Sequence, residues 1–189
     1  FIYKKIDMGI HVSDINRAIT MSKLLGLDKI GVDSDYSTNM IPQEDVILRM
    51  DKKYPIADYF PYLIVSDNIR SLDSKTDLFV IDPFQRKDTI KRKVKSGLGI
   101  EISIASARKL EAVMAGRWLK EVKSIYEFCQ SNNCQFILAS GASSVNEMIS
   151  ARSFDSILNV IGISPRIYWK EISEWLYAKT KARWYHAKS

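Results

Sequence analysis

The sequence predicts an α/β protein built on a parallel β-sheet, on three observations. Apolar runs of strand length alternate with amphipathic helical stripes from one end of the chain to the other. The run Leu78-Phe79-Val80-Ile81 is apolar without a break, as in a strand covered on both faces. No Gly/Ser/Pro-rich linker and no internal repeat divides the 189 residues, so a single domain is expected. Alternation calls for parallel strands because a parallel crossover needs a helix to cover the sheet. An open doubly wound sheet and a closed barrel both satisfy it.

Taken in order, Ile2 to Val12 reads as a strand, with Ile6, Met8 and Ile10 on one side of a period-two pattern. Ser13-Asp14 offers the short oxygen side chains that satisfy free N–H groups at a helix start. Ile15, Ala18, Ile19, Ser22 and Leu25 then form one buried stripe, and Gly26 stops the helix. Lys29 to Val32 is a short strand, 34–44 a polar loop, Val46 to Met50 a third strand and Tyr62 to Val65 a fourth. The connection from Asp51 to Pro61 holds two prolines and no helical period. Asp67 to Ser71 suits one helical turn, and Asp82-Pro83 ends the strand at Leu78 to Ile81.

A helix over 86–96 is expected next, with Ile90 and Val94 inward, Gly97 as its stop, and a strand from Gly99 to Ile104. Trp118, Val122, Ile125, Tyr126 and Cys129 give a long helix over Gly116 to Ser131 its apolar face. Phe136 to Ala139 is the last strand. Two closing helices carry stripes at Phe154, Ile157, Leu158, Ile161 and at Tyr168, Ile172, Trp175, Leu176. Residues 180–189 read as a basic tail, frayed or docking.

Hydrophobic residues at 46% and charged residues at 26% are ordinary globular values and exclude disorder for most of the chain. No apolar run is long enough for a membrane span, and the opening stretch lacks the apolar core of a signal peptide. Two cysteines, Cys129 and Cys134, build no disulfide framework, so a reduced cytoplasmic setting is the simpler expectation, with a Cys129–Cys134 bridge as the alternative. The formal charge of +6 invites a polyanionic partner. That charge is polarised. Residues 28–58 carry seven acids against four bases, whereas 86–95 carry six bases against Asp88 alone.

Enzymatic signatures are weak. Gly9 stands alone after the first strand, where phosphate binding needs a glycine-rich turn. A metal-dependent phosphoesterase, the alternative reading, would use Asp7, His11 and nearby carboxylates, but His11 and His186 are the only histidines. Asp7 suits backbone donors equally well. Ser140-Gly141 lacks the surrounding pattern of a nucleophile elbow, and the carboxylates Asp82 and Glu101 mark no general acid/base pair.

Three segments carry a family resemblance. Gly99-Ile100-Glu101-Ile102-Ser103-Ile104-Ala105-Ser106-Ala107 resembles the strand and small-residue turn of ribonuclease P protein component 3, the archaeal counterpart of the 30-kilodalton human subunit. Phe136 to Ala142 is similar to that family's strand ending in Ser-Ser/Gly-Ala. Asp77 to Asp88 resembles its strand followed by Asn/Gln-Arg-Lys-Asp, with weaker likeness at Tyr3 to Met8 and Tyr62 to Asn68. The family's Arg-x-Pro-Arg-Asp stretch is represented by Ser150 to Asp155, where Arg152 matches the second arginine and the first arginine and proline are missing.

The resemblance implies a TIM-barrel-like fold of the polymerase–histidinol-phosphatase type, with no catalytic residue, metal or cofactor of its own. It implies that the RNA subunit, with its magnesium, removes the 5′ leader of precursor tRNA. This protein would support the catalytic domain of that RNA beside component 2, in a heterotetramer, touching precursor tRNA indirectly. The RNA-contact candidates are Arg86, Lys87, Lys91, Arg92 and Lys95, then Arg108 and Arg152. Lys87, Lys91 and Lys95 would form one helical row. Trp184 and Tyr185 lie among late bases, a pattern suited to stacking on RNA or to a docking tail.

Overall fold

The computed structural model describes residues 3–33, 43–51, 61–85 and 87–186, the last five of these by backbone alone. Seven strands, β1 (Ile6–Ile10), β2 (Lys29–Asp33), β3 (Val46–Met50), β4 (Tyr62–Ser66), β5 (Leu78–Val80), β6 (Gly99–Ser103) and β7 (Gln135–Ala139), lie side by side in chain order. Every neighbouring pair is parallel. The sheet curls until its two ends meet. Ile10 bridges Ala142, and the His11 amide donates to the Ala142 carbonyl at 2.8 Å. The protein is therefore an α/β, TIM-barrel-like fold of seven parallel strands nearly closed into a barrel.

The helices are α1 (Ile15–Leu24), α2 (Lys87–Lys91), α3 (Ala112–Ser131), α4 (Ala151–Ile161) and α5 (Pro165–His186). Helix α1 starts as its sequence requires, with the Asp14 carboxylate accepting from the Arg17 amide at 3.0 Å, and buries Ile15, Ala18, Ile19 and Ser22. Helix α3 begins four residues before the expected Gly116, which lies exposed inside it with nothing near its missing Cβ. Between β4 and β5 there is only a 3-10 turn at Ile69–Ser71.

The expected helix over 86–96 is corrected to the five residues of α2. Lys87, Lys91 and Lys95 would stack three like charges at successive turns, and Lys91-Arg92-Lys93 adds to the repulsion. After one more helical hydrogen bond, from the Val94 amide to the Ile90 carbonyl, the chain turns at Gly97 with φ +82°. The three lysines thus form no helical row. They are strung along the connection from the end of β5 to the start of β6.

The segment expected as a basic tail over 180–189 continues α5 as helix through His186, and residues 187–189 lie outside the described residues. Most of α5 does architectural work. The Ser173 hydroxyl accepts from the Lys4 amide at 2.9 Å, the Trp175 indole donates to the Gly97 carbonyl at 2.9 Å, and Lys179 lies 4.0 Å from Asp77. Lys4, Gly97 and Asp77 all precede strands, so α5 runs across the N-terminal end of the barrel. Its Trp175 plugs that end: a Cβ added to Gly99 would sit 2.7 Å from the indole.

Helix α5 also fills the gap between β1 and β7. Leu138 lies in mid-β7, where no strand pairs with its outer edge. Its amide donates to the Tyr168 hydroxyl at 2.9 Å, and that hydroxyl donates to the Leu138 carbonyl at 3.3 Å. One phenol thus satisfies two main-chain groups that a further strand would have paired. Burial pushes the phenol's pKa up, so it stays a donor. Tyr168→Phe should cost about 1–3 kcal/mol by leaving both groups unsatisfied in the interior. Urea unfolding of the two proteins measures this, and coincident curves would show that the hydroxyl is not needed.

Candidate functional site

Parallel barrels present chemistry where the strands end, and here the interior of that end is polar. Asp7 and His11 come from β1 and its end, Asp33 from β2, Arg49 from β3, Glu101 from β6 and Ser140 from the end of β7. Arg49 and Glu101 form a buried two-pronged pair, with Nη1 2.6 Å from Oε2 and Nη2 3.1 Å from Oε1. Arg49 Nη1 also donates to the Met8 carbonyl. Its Nε lies 3.7 Å from Asp33, whose other oxygen is 2.7 Å from His11 Nδ1. Burial works against the guanidinium charge, but the Glu101 carboxylate with its hydrogen bonds, together with Asp33 and Asp7, outweighs it and raises the Arg49 pKa.

Gly9 makes room for this pair. A Cβ there would fall 2.7 Å from Ala139 Cβ and 3.1 Å from Glu101 Oε1. The lone glycine of the first strand therefore serves packing around a charge pair.

Asp7 is fully buried, and its Oδ1 accepts from the Gly9 amide at 3.2 Å and the Ser140 amide at 3.0 Å. Its Oδ2 has no hydrogen-bond partner among the described residues. Burial raises the carboxyl pKa, the bonds from Ser140 and Gly9 pull it back in part, and Glu101 pushes it further up.

This network is a brace across β1, β2, β3, β6 and the end of β7. His11 is oriented by Asp33 and half-buried, but no serine or cysteine is hydrogen-bonded to it among the described residues, so the nucleophile of a hydrolytic triad is not assembled. No group of three or more His, Cys, Asp or Glu side chains is placed to hold a metal among the described residues. Arg49 occupies the space between the interior carboxylates and supplies their positive charge.

The sequence-derived contact residues do not converge on one spot. Arg86 lies outside the described residues, as do the side chains of Trp184 and Tyr185. Lys87 bonds Ser124 and faces Glu121 at 3.7 Å, so α3 partly neutralises it. Lys91, Arg92 and Lys95 are exposed and form no ion pair among the described residues. Lys95 has travelled to the other end of the barrel, beside Lys179 and Asp73. Arg108 ties two strand-end loops together: it donates to the carbonyls of Ser140 at 3.3 Å and Glu147 at 2.6 Å, and pairs with the Glu147 carboxylate at 3.3 Å. Arg152 is exposed in the first turn of α4. Cys129 and Cys134 are both free, with burial pushing the Cys134 thiol up to about 11 and Cys129 higher.

Sequence reading missed Arg49. The signal was an arginine within Val-Ile-Leu-Arg-Met, an otherwise apolar strand. No helix among the described residues is long and apolar enough to cross a membrane. No protein-family model matches the chain, and no curated protein matches it.

Arg49→Met should destabilise the protein by about 3–5 kcal/mol, because Glu101 is left charged and buried. Adding Glu101→Leu should recover most of that loss. Equal stability of the single and double variants by urea unfolding would show that stranded charge is not the cause.

Proposed function

We propose that the chain is a protein subunit of ribonuclease P, of the component 3 (30-kilodalton) family, which assists RNA-catalysed removal of the 5′ leader from precursor tRNA. The observation that carries this reading is the placement of its three resemblance blocks. Residues 77–88, 99–107 and 136–142 fall on β5, β6 and β7 with the loops that follow them, three neighbouring strands of one barrel. The finer fold assignment, the polymerase–histidinol-phosphatase type of barrel, belongs to the same proposal. The parallel strands and the polar interior at their C-terminal ends support it.

In this role the chain is not the catalyst. The RNA cuts, magnesium accompanies the RNA, and this protein supports the catalytic domain with component 2 in a cytoplasmic heterotetramer. The chain's excess of bases over acids suits that partner. A metal-dependent phosphoesterase on the same barrel draws no support from the side chains. Asp7 is committed to two amides, His11 to Asp33, and Arg49 lies among the carboxylates.

Cleavage of precursor tRNA by the cognate RNA with component 2, assayed with and without this chain, tests the proposal. The chain should raise cleavage at physiological magnesium and cut nothing alone, whereas equal rates would overturn it. Lys91→Glu with Arg92→Glu should lower the activity of the complex and flatten its salt dependence by roughly two phosphate contacts.

A further inference from the structure

A second surface was not among the sequence-derived contacts, and it lies where the β5 end meets α3. The Asp82-Pro83 turn sets it up. Asp82 Oδ1 accepts from the Phe84 amide at 2.9 Å, and the Asp82 carbonyl accepts from Gln85 at 2.9 Å, which fixes Phe84 in a tight turn at the strand end. The Phe84 ring is 39% exposed, although a phenylalanine so close to the core would ordinarily be buried. The Arg117 guanidinium, from α3, stands 5.9 Å from its centroid and forms no ion pair among the described residues.

The spacing of α3 explains how the two elements meet. Arg117, Glu121 and Ser124 form one stripe, with Lys87 against Ser124 and Glu121, and Phe84 against Arg117. Val113 continues that stripe one turn toward the start of α3, and it is 85% exposed. Met114 beside it is 37% exposed. The result is an aromatic face backed by an arginine and extended by two apolar side chains.

The surroundings are basic. Residues 87–92 carry Lys87, Lys91 and Arg92 against Asp88, and residues 117–123 of α3 carry Arg117, Lys120 and Lys123 against Glu121. Glu121 is already taken by Lys87, and one oxygen of Asp82 by Phe84. An apolar protein surface would be served by Phe84, Val113 and Met114 without this charge. A polyanion whose units carry flat, apolar-faced rings uses both features, and only single-stranded nucleic acid offers unstacked rings.

We propose that Phe84 and Arg117 form a stacking site for an unpaired base of RNA, with Lys91, Arg92 and Lys120 drawing in the flanking phosphates. This rests on the RNA-associated reading above and assigns it a contact. Phe84 is the platform, Val113 and Met114 extend its apolar edge, and Arg117 adds cation–π and phosphate contact. A duplex, whose bases are stacked on one another, would gain only the electrostatic part.

The test is fluorescence anisotropy of the full chain with a short fluorescein-labelled, purine-rich single-stranded RNA, and with an abasic strand of equal length and charge. Phe84→Ala should weaken binding of the base-bearing strand by about tenfold and leave the abasic strand unchanged, while Phe84→Trp retains wild-type affinity. Arg117→Gln should weaken both strands and lower the salt slope by about one. Tyr177 is the control. It is exposed and has Lys181 5.5 Å from its ring, but it lies on α5 at the other end of the barrel, so Tyr177→Ala should change nothing. Circular dichroism and thermal midpoints confirm that each variant is folded.

The proposal is overturned if the wild-type chain binds neither strand, if Phe84→Ala binds the base-bearing strand as wild type does, or if it loses both strands equally. Loss of protein-partner binding with RNA affinity intact would also overturn it, making the patch a protein contact. If Phe84→Ala behaves as expected but the chain does not stimulate precursor-tRNA cleavage, the RNA site stands and the ribonuclease P reading falls.

Discussion

Closing a barrel with seven parallel strands leaves a seam, and the rest of this structure follows from how the seam is sealed. Between β1 and β7 the main chains meet through Ile10 and Ala142, at the end where the strands finish. Below that point the exposed edge of β7 carries main-chain groups that cannot be left unpaired in the interior. The Asp7 carboxylate takes the Ser140 amide and the Tyr168 hydroxyl takes both polar groups of Leu138. Two side chains therefore stand in for a strand. One of them is a buried acid, and the other comes from a helix lying along the seam. The course of α5 satisfies the second demand, and the same helix then crosses the N-terminal end with Trp175.

A buried acid constrains its neighbours. Asp7, Glu101 and Asp33 place three carboxylates in or near the interior, and Arg49 holds the latter two directly. Glycine at position 9 leaves the volume that Glu101 needs. Apart from Asp7 Oδ2, the interior polar groups named here thus satisfy one another, which directs functional interest to the outer surface around the strand ends. There the exposed Lys91, which ends α2, and Arg92 after it lie on the same connection as Phe84, whose ring meets Arg117 of α3.

Much of this was legible from local pattern. Val46 to Met50 was readable to the residue as β3, and the stripes of α1, α4 and the middle of α3 point inward as their spacing requires. Gly26 and Gly97 mark chain reversals because both adopt positive φ. Closure was not legible, since strand–helix alternation is the same in an open sheet and a barrel. Tyr168 reads as one more apolar stripe residue, and only the register of β7 beside β1 reveals what its hydroxyl does. Arg49 and Glu101 are 52 residues apart, so their pairing depends on a barrel that brings β3 and β6 face to face. The helix at 86–96 failed because its apolar positions fit while its charges repel, a competition that periodicity alone does not weigh.

Asp7 seals the seam as a buried acid, and its titration tests that role most directly. Its pKa is raised above the ordinary 3.8 by burial, so between that value and its folded pKa the folded chain holds the extra proton. Stability contributed by this group must then fall as pH rises through that interval and level off above it. Asp7→Asn keeps an oxygen for the two amides but cannot titrate. The unfolding free energy of the wild type minus that of Asp7→Asn, measured from about pH 4 upward, should decrease with pH. A flat difference would mean that Asp7 is solvated, and an increase that its carboxylate is stabilised in the charged form; either would contradict a seam closed in the way described.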